Sequence, residues 1–316
     1  MTGLMAARRS LLTPNSRPRA SAQLALGLAF LLALPLVAQQ KEKVKVYVSV
    51  DMEGIWGVVH GDQTSPSGGG YGAARKWMAQ DVNAAIVGLF AAGATEVVVN
   101  DAHGGQRNIL ADDLDPRASL ITGSPKPLSM MEGIDATYDA CLLIGYHARA
   151  GTTPAVLDHT ISGAVVFAVR VNGLEMPELG LNAAIAGAFG VPVIMLSGDG
   201  MTCRQAVEVL GPGVKTAAVK EAAWRTAAKL LPRAEALAAI QTAARDGLLG
   251  RGKVKPYQLA PPYNFELEFH RSSQAELASL IPGVRRPSAR VVSFTSQDYL
   301  EGFKLLRALI ALAPTD

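Results

Sequence analysis

The sequence predicts an α/β protein: a mostly parallel sheet covered by helices, with a smaller C-terminal α+β lobe. Three observations predict it. Apolar runs of strand length alternate with longer amphipathic segments through the first two thirds of the chain. These runs are continuously apolar, which is typical of strands that are buried on both faces. Past about residue 215 the pattern changes to alanine-rich segments and then to strand, helix, strand, helix, which indicates a second lobe.

The first half of the chain carries four predicted strands and one long helix. Apolar side chains recur at helical spacing between residues 73 and 92, where Trp77, Ile86 and Leu89 share one side and Gly93 ends the helix. The predicted strands are 44–50, 95–101, 119–123 and 140–146.

A hairpin, a helix and a further strand follow. Asn172 and Gly173 separate two apolar runs within 164–176, and this dipeptide is a strong local signal for a β-hairpin. We predict a helix over 177–189, because proline is favoured in a first helical turn and Gly190 lies near the end. Residues 191–199 are predicted as another buried strand.

The remaining segments complete the predicted second lobe. The alanine-rich stretches 221–231 and 234–249 are predicted as helices, and a proline-rich stretch covers 254–264. Two predicted strands, 265–270 and 289–296, are each followed by a helix, 274–281 and 299–313. We therefore expect an N-terminal signal over 1–40, a main α/β domain over 41–215 and a smaller α/β lobe over 216–316.

Residues 1–40 have the three parts of an export signal. They contain four arginines and no acidic residue, an apolar run over 24–34, and the small residue Ala38 before a polar QQKEK stretch. The apolar run is shorter than the roughly 20 residues that span a bilayer. We therefore expect an exported protein, periplasmic or extracellular, with no stable membrane anchor; a retained anchor is the alternative.

The charge balance excludes one class of partner. The 316-residue chain has a formal net charge of +3, but four of its 30 basic residues lie in the N-terminal segment. The rest of the chain has 26 basic against 27 acidic residues and is close to neutral. Nucleic-acid binding needs clustered positive charge, so we expect no nucleic-acid partner.

The chain has two cysteines, Cys141 and Cys203. An oxidising compartment would permit a disulfide between them. Nothing in the sequence specifies the geometry that such a bond requires, so free thiols are favoured.

Three predicted strands end in residues that bind metals. Asp51 and Glu53 follow the first strand, His103 follows the second, and His147 follows the fourth. In open α/β sheets, ligands bind beyond the carboxyl ends of the strands, where these side chains would meet. Imidazole and carboxylate groups are preferred zinc ligands. The pattern therefore predicts a metal site at this edge.

Each of these residues also has an ordinary structural explanation. A lone Asp-x-Glu before glycine is usually a solvated turn, and a lone loop histidine is usually not a ligand. The coincidence at three strand ends favours a metal site. Asp101, two residues before His103, would either orient that histidine or cap nearby backbone amides. Loop residue His159 would act as an acid–base group, and His60 and His270 are weaker candidates.

Five motifs carry a resemblance to a known family: SVDMEGIWGV, VNDAHGG, KPLSMMEGID, GYHARAGTT and PELGLNA. In this order they resemble the D-aminopeptidases of the DppA type, the M55 family of zinc peptidases. The resemblance is close from about residue 44 to 220 and looser to the C-terminus. Several spaced motifs in the right order are far more specific than any one of them.

The resemblance implies two zinc ions per subunit and a catalytic histidine, His159. It also implies hydrolysis of short peptides, with an N-terminal D-amino acid such as D-Ala, in a homo-oligomeric ring of the decameric type. The loop before His159 departs from the family pattern by one additional residue. The implied metal ligands are Asp51, Glu53, His103, His147 and Glu178; without the resemblance, Glu178 is explained as an acid favoured at a helix start.

Two other functions use similar residues. The strand-end histidines would also serve a non-catalytic periplasmic protein that binds zinc or a solute. A dimetal phosphoesterase shares these ligand types, but such a site normally has more asparagine and histidine ligands than this sequence offers.

Overall fold

A computed structural model describes residues 43–313 of the chain. These residues belong to one compact unit, Glu42–Asp316. The predicted export signal over 1–40 lies outside the described residues. Within 43–313, none of the helices combines the length and the apolar character that crossing a membrane would require.

Strands and helices alternate along most of the described chain. The strands are β1 Lys45–Val50, β2 Glu96–Asp101, β3 Ala118–Ile121, β4 Ala140–Ile144, β5 Val166–Val171, β6 Leu174–Glu175, β7 Val193–Asp199, β8 Lys215–Trp224, β9 Ala227–Leu230, β10 Tyr263–Phe269 and β11 Val291–Ser296. The helices are α1 Tyr71–Ala91, α2 Glu178–Ala188, α3 Gly200–Leu210, α4 Arg233–Leu249, α5 Ser272–Ala278 and α6 Tyr299–Leu312.

The strands form two sheets. The main sheet has the order β3-β2-β1-β4-β7-β8-β9, and all its pairs are parallel except β8 with β9. The smaller sheet has the order β11-β10-β5-β6 and is antiparallel throughout. The predicted fold class, a mostly parallel sheet with a smaller α+β part, is confirmed.

Both faces of the main sheet are buried, as continuously apolar strands require. Val46 and Val48 of β1 point into a core that includes Met78 of α1 and Ile240 of α4. Tyr47, between them, points to the opposite face, where a second core contains α2 and the smaller sheet. Because side chains alternate between the two faces along β1, this strand contributes residues to both cores.

The predicted hairpin is present and has the expected turn. Arg170 pairs with Glu175 and Val171 with Leu174. Asn172 and Gly173 have φ values of 53° and 80°, and positive φ at both central residues is what a type I′ turn requires. This hairpin, β5 and β6, joins β10 and β11 in the smaller sheet, so that sheet draws strands from both sides of residue 215.

One predicted helix is wrong. Residues 221–231 are the end of β8 and the strand β9, and the hairpin extends the main sheet next to β7. Alanine favours helix only weakly, and pairing with a buried neighbouring strand outweighs that preference. Because β8 and β9 follow residue 215, the predicted boundary there does not coincide with a change of sheet.

Helix α3 is not predicted by the sequence pattern, because Gly200 at its start resembles a turn. The Asp199 side chain caps this helix by accepting a hydrogen bond from the backbone N–H of Thr202 at 2.7 Å. Cys203 lies in α3 and Cys141 in β4; both are buried free thiols, as expected.

Candidate metal centre

The parallel order of the central strands brings the predicted ligands to one edge. Strand β1 lies between β2 and β4 and is parallel to both, so their carboxyl ends are adjacent. Asp51 and Glu53 extend from β1, His103 from β2 and His147 from β4. Glu178 is the first residue of α2, and His159 lies on the loop between β4 and β5.

The turn that carries Asp51 and Glu53 is held by backbone contacts and by one buried lysine. Gly54 donates to the Gly145 carbonyl at 2.8 Å, and a Cβ on Gly54 would collide with the neighbouring Tyr146 carbonyl, so only glycine fits. Lys220 of β8 is fully buried and donates to the carbonyl oxygens of Glu53 at 2.6 Å, Ile55 at 2.8 Å and Val58.

Asp51, Glu53 and His103 form what we call the first triad. The Nδ1 atom of His103 lies 3.3 Å from Oδ1 of Asp51 and 3.0 Å from Oε2 of Glu53. One donor atom from each residue lies within 4.8 Å of the other two, which is a spacing that one metal ion can span.

His147, His159 and Glu178 form the second triad, which meets the same criterion. Oε1 of Glu178 lies 3.2 Å from Nε2 of His147 and 3.6 Å from Nε2 of His159. The two imidazole rings are stacked, with centroids 3.9 Å apart and planes at 12°. The additional loop residue before His159 therefore does not keep this histidine away from Glu178.

Asp51 links the two triads. Its Oδ1 faces His103, and its Oδ2 lies 3.4 Å from Nε2 of His147. A carboxylate with one oxygen toward each group is the arrangement expected of a bridging ligand. The structure thus brings all six predicted site residues together.

Backbone carbonyls orient the three histidines. Nε2 of His103 lies 2.9 Å from the Thr64 oxygen, Nδ1 of His147 lies 3.0 Å from the Ala148 oxygen, and Nδ1 of His159 lies 2.8 Å from the Leu157 oxygen. A carbonyl only accepts hydrogen bonds, so these nitrogens carry the protons. In each neutral ring the other nitrogen therefore presents a lone pair toward the carboxylates, as a metal ligand does.

Several buried atoms in this cluster have no hydrogen-bond partner. They are Oδ2 of Asp51, Oε2 of Glu53 and Nε2 of His147, although each lies close to another site atom. Unpaired buried polar atoms are rare because each costs about 1–3 kcal/mol. Lone pairs and carboxylate oxygens that face one another at 3.0–3.4 Å repel unless a proton or a metal cation lies between them.

The shifted pKa values also indicate that the site stabilises positive charge. Burial, together with the negative charge of Glu53, raises the pKa of the Asp51 carboxyl to about 7. Burial alone would lower the pKa of His147, but Glu178 and Asp51 outweigh it and raise this pKa to about 10. Burial likewise opposes ionisation of Glu178, yet His147 lowers the pKa of that carboxyl to about 2. The carboxylates therefore stabilise positive charge on the neighbouring imidazole rings, and they would stabilise a metal cation in the same way.

Two residues of each triad line a cavity of about 130 Å³, which we call the chamber. Its walls include Asp51, His103, His159, Glu178, Gln106 and Arg307. His159 also lines a larger groove of about 460 Å³ and so lies between the chamber and the surface.

Sequence reasoning missed three contributors to the site: Gln106, Arg307 and Lys220. Only Arg307 had a usable signal, because it lies four residues after Phe303 and three before Ile310, on the apolar side of α6. Lys220 immediately precedes the segment 221–231 that was predicted as a helix, and Gln106 is one polar loop residue among many.

The other titratable candidates lie elsewhere. Asp101 accepts hydrogen bonds from the backbone N–H groups of Asn108 and Ile109 at 2.5 and 2.7 Å, so it braces the loop after His103 and does not touch that ring. His60 is exposed and pairs with Asp62, and His270 packs edge-on against Phe167. Neither His60 nor His270 lines the chamber.

The covered parallel sheet and the paired triads at its carboxyl edge define the class as an α/β metallohydrolase. A family model described as D-aminopeptidase matches residues 44–308. A D-aminopeptidase from Bacillus subtilis (strain 168) is 39% identical over 276 residues, which cover 85% of this chain and 98% of that protein. A solved structure, the Zn-dependent D-aminopeptidase DppA from Bacillus subtilis, described as a self-compartmentalizing protease, matches with a TM-score of 0.83 and 37% identity over 85% of this chain and 97% of its own.

The chain belongs to the M55 peptidase family, the D-aminopeptidases. The resemblance inferred from the five motifs is confirmed, and the chain is an enzyme of the metallopeptidase type. Membership of a peptidase family does not favour the alternative of a non-catalytic binding protein.

Proposed function

We propose that this chain is a zinc-dependent aminopeptidase that hydrolyses short peptides with an N-terminal D-amino acid, such as D-Ala. The observation that carries the proposal is the pair of triads joined by Asp51, with unpaired buried donor atoms pointing at one another. The named activity and the zinc dependence of the Bacillus subtilis relative support the reaction and the metal.

We propose two zinc ions per subunit. Nitrogen and carboxylate oxygen donors of this kind suit zinc, whereas calcium and magnesium prefer all-oxygen shells. Asp51, Glu53 and His103 would hold one ion, and Asp51, His147 and Glu178 the other. When bound, zinc would polarise the scissile carbonyl as a Lewis acid and lower the pKa of water at the site.

His159 would then serve as the acid–base group. Hydrolysis adds water across the peptide C–N bond, so the leaving amine must gain a proton as that bond breaks. Nδ1 of His159 is engaged by the Leu157 carbonyl, which leaves Nε2 available at the chamber wall. A histidine with one nitrogen fixed and the other at the reacting centre is suited to transfer this proton.

Metal analysis and turnover test the reaction. The purified protein is expected to contain two zinc ions per chain and to hydrolyse D-Ala-D-Ala faster than L-Ala-L-Ala. Chelation should abolish turnover, and added zinc should restore it. Zinc-free protein with unchanged activity would overturn the proposal, and hydrolysis of phosphoester substrates instead would favour a phosphoesterase.

His159→Ala separates catalysis from metal binding. We expect this variant to retain two zinc ions and to lose at least about 100-fold in kcat, which is the usual contribution of general acid–base catalysis. His60→Ala, in an exposed loop, is the matched control and should behave like the unmodified protein. Loss of one zinc ion from His159→Ala would make this histidine a ligand, as the geometry of the second triad permits.

We further propose that the protein is exported and forms a homo-oligomeric ring of ten subunits. Export is supported by the composition of residues 1–40. The ring is supported by the self-compartmentalizing description of the Bacillus subtilis relative. Cell fractionation with N-terminal sequencing tests the first, since a retained anchor would leave the uncleaved chain in membranes. Light scattering tests the second through the mass of the assembly.

A further inference from the structure

Arg307 is a cation at the edge of the metal site, near the negative charge of Glu178. It lies on α6 and lines the chamber together with Glu178 and His159. Within the described residues its guanidinium forms no hydrogen bond and no salt bridge, whereas Lys304, one turn earlier on the same helix, is exposed and pairs with Glu301. A partly buried arginine usually satisfies its five donors, because leaving them unpaired is costly.

A second unpaired group faces the same space. Gln106 is 4% exposed, and its Oε1 has no hydrogen-bond partner, although its Nε2 donates to Oγ of Ser129 at 3.3 Å. The chamber therefore offers both an unpaired cationic donor and an unpaired buried acceptor. Together they complement a ligand that carries an anionic group and an N–H group a short distance apart.

We propose that Arg307 binds the C-terminal α-carboxylate of the substrate and makes the enzyme selective for short peptides with a free carboxylate over their amides. A guanidinium matches a carboxylate through two parallel hydrogen bonds. Arg307 lines the chamber of about 130 Å³ together with His159 and Glu178, so a carboxylate bound by this guanidinium would lie near the metal site. This inference rests on the proposed aminopeptidase function and assigns the residue that recognises the free C-terminal carboxylate.

The test compares D-Ala-D-Ala with its C-terminal amide, which has the same scissile bond and no carboxylate. In the unmodified enzyme the free acid should have a KM at least about tenfold lower than the amide, as expected for a charge-assisted hydrogen bond. Arg307→Met should lower kcat/KM for the free acid roughly 10- to 100-fold, mainly through KM. The amide should change by less than about threefold, and Arg307→Lys should recover part of the loss.

Zinc content and a matched variant complete the experiment. Lys304→Met removes a cation from the exposed side of α6 and should leave both substrates unaffected. Equal losses for the free acid and the amide would overturn the proposal, because Arg307 would then only offset the charge of Glu178. Equal KM values for the two substrates in the unmodified enzyme would overturn it without any variant. Failure of the unmodified enzyme to hydrolyse either substrate would instead refute the proposed function.

Discussion

The two triads use the same residue types in opposite proportions and rest on different supports. The first has two carboxylates and one imidazole, and its residues directly follow β1 and β2. The second has two imidazoles and one carboxylate; one histidine lies on an irregular loop, and the carboxylate begins α2. The first is fixed by neighbouring strands, whereas the second depends on a loop and a helix packed against the sheet.

This difference suggests a division of roles. Two adjacent acids on a rigid turn concentrate negative charge where a divalent cation is held most firmly. The second triad reaches the groove through His159, whose ring is partly exposed, and therefore contacts both chamber and solvent. We infer that the first triad mainly holds metal and that the second also takes part in proton transfer. Three substitutions test this inference.

Asp51→Asn should have the largest effect, because it removes the negative charge that lies between His103 of the first triad and His147 of the second. We expect zinc to fall from two ions to fewer than one per chain, with kcat reduced roughly thousandfold or more. Inductively coupled plasma mass spectrometry and D-Ala-D-Ala turnover measure this. Asp62→Asn, an exposed acid, is the control. Retention of one full zinc ion would mean that Asp51 does not bridge the triads.

Lys220→Met should weaken the first triad selectively. It removes the hydrogen bonds that Lys220 donates to the carbonyls of Glu53, Ile55 and Val58, and leaves these acceptors buried without a partner. We expect the free energy of unfolding to fall by about 3 kcal/mol. One zinc ion should be lost more readily than the other during dialysis against a chelator.

Urea denaturation measures that loss of stability, and timed metal analysis measures zinc release. Lys215→Met is the control, since Lys215 lies on the same strand and is exposed. Release of both ions at the same rate would contradict the prediction that Lys220 supports the first triad selectively.

Arg225→Gln should have the smallest effect and act only on the second triad. Arg225 donates to Oδ1 of Asp158 at 3.0 Å and to the Asp158 carbonyl at 3.3 Å, next to His159. The backbone bond from Leu157 N–H to the Arg225 carbonyl stays in place. An exposed ion pair contributes up to about 1 kcal/mol, so kcat should fall no more than about fivefold.

Zinc content should stay at two ions per chain in this variant. Lys229→Gln, an exposed change on the adjacent strand β9, should leave kcat unaltered. A loss of zinc in Arg225→Gln would show that the hairpin supports the metal as well as His159.

The strands that position the site were predictable because their consecutive apolar residues indicate burial. Strands β1, β2 and β4 are buried on both faces, so each contains consecutive apolar residues that are visible locally. Strand β8 is different: its alanines are compatible with a helix, and only its pairing with β7 decides the outcome. The pairing of β5 with β10 is likewise decided by residues far apart in the chain.

The same distinction applies to the site. Asp51, Glu53, His103 and His147 were predictable because each directly follows a strand, and parallel strand ends meet at one edge. Glu178 needed the family motif, since an acid at a helix start is common. Lys220 reaches the site only through the packing of β8, which no local pattern records, and the position of Arg307 on the apolar side of α6 indicates burial but not which residues it faces.

The carbonyls that orient the three imidazoles make the site robust to some mutations and sensitive to others. Every amino acid carries this acceptor, so Thr64, Ala148 and Leu157 can change side chain without removing it. The orientation depends instead on the path of the backbone. Leu157 has a φ of 50°, in the left-handed region that β-branched residues strongly disfavour. A substitution at Thr64, Ala148 or Leu157 should therefore preserve the orientation of the imidazole only where the new side chain fits its surroundings and leaves the backbone path unchanged.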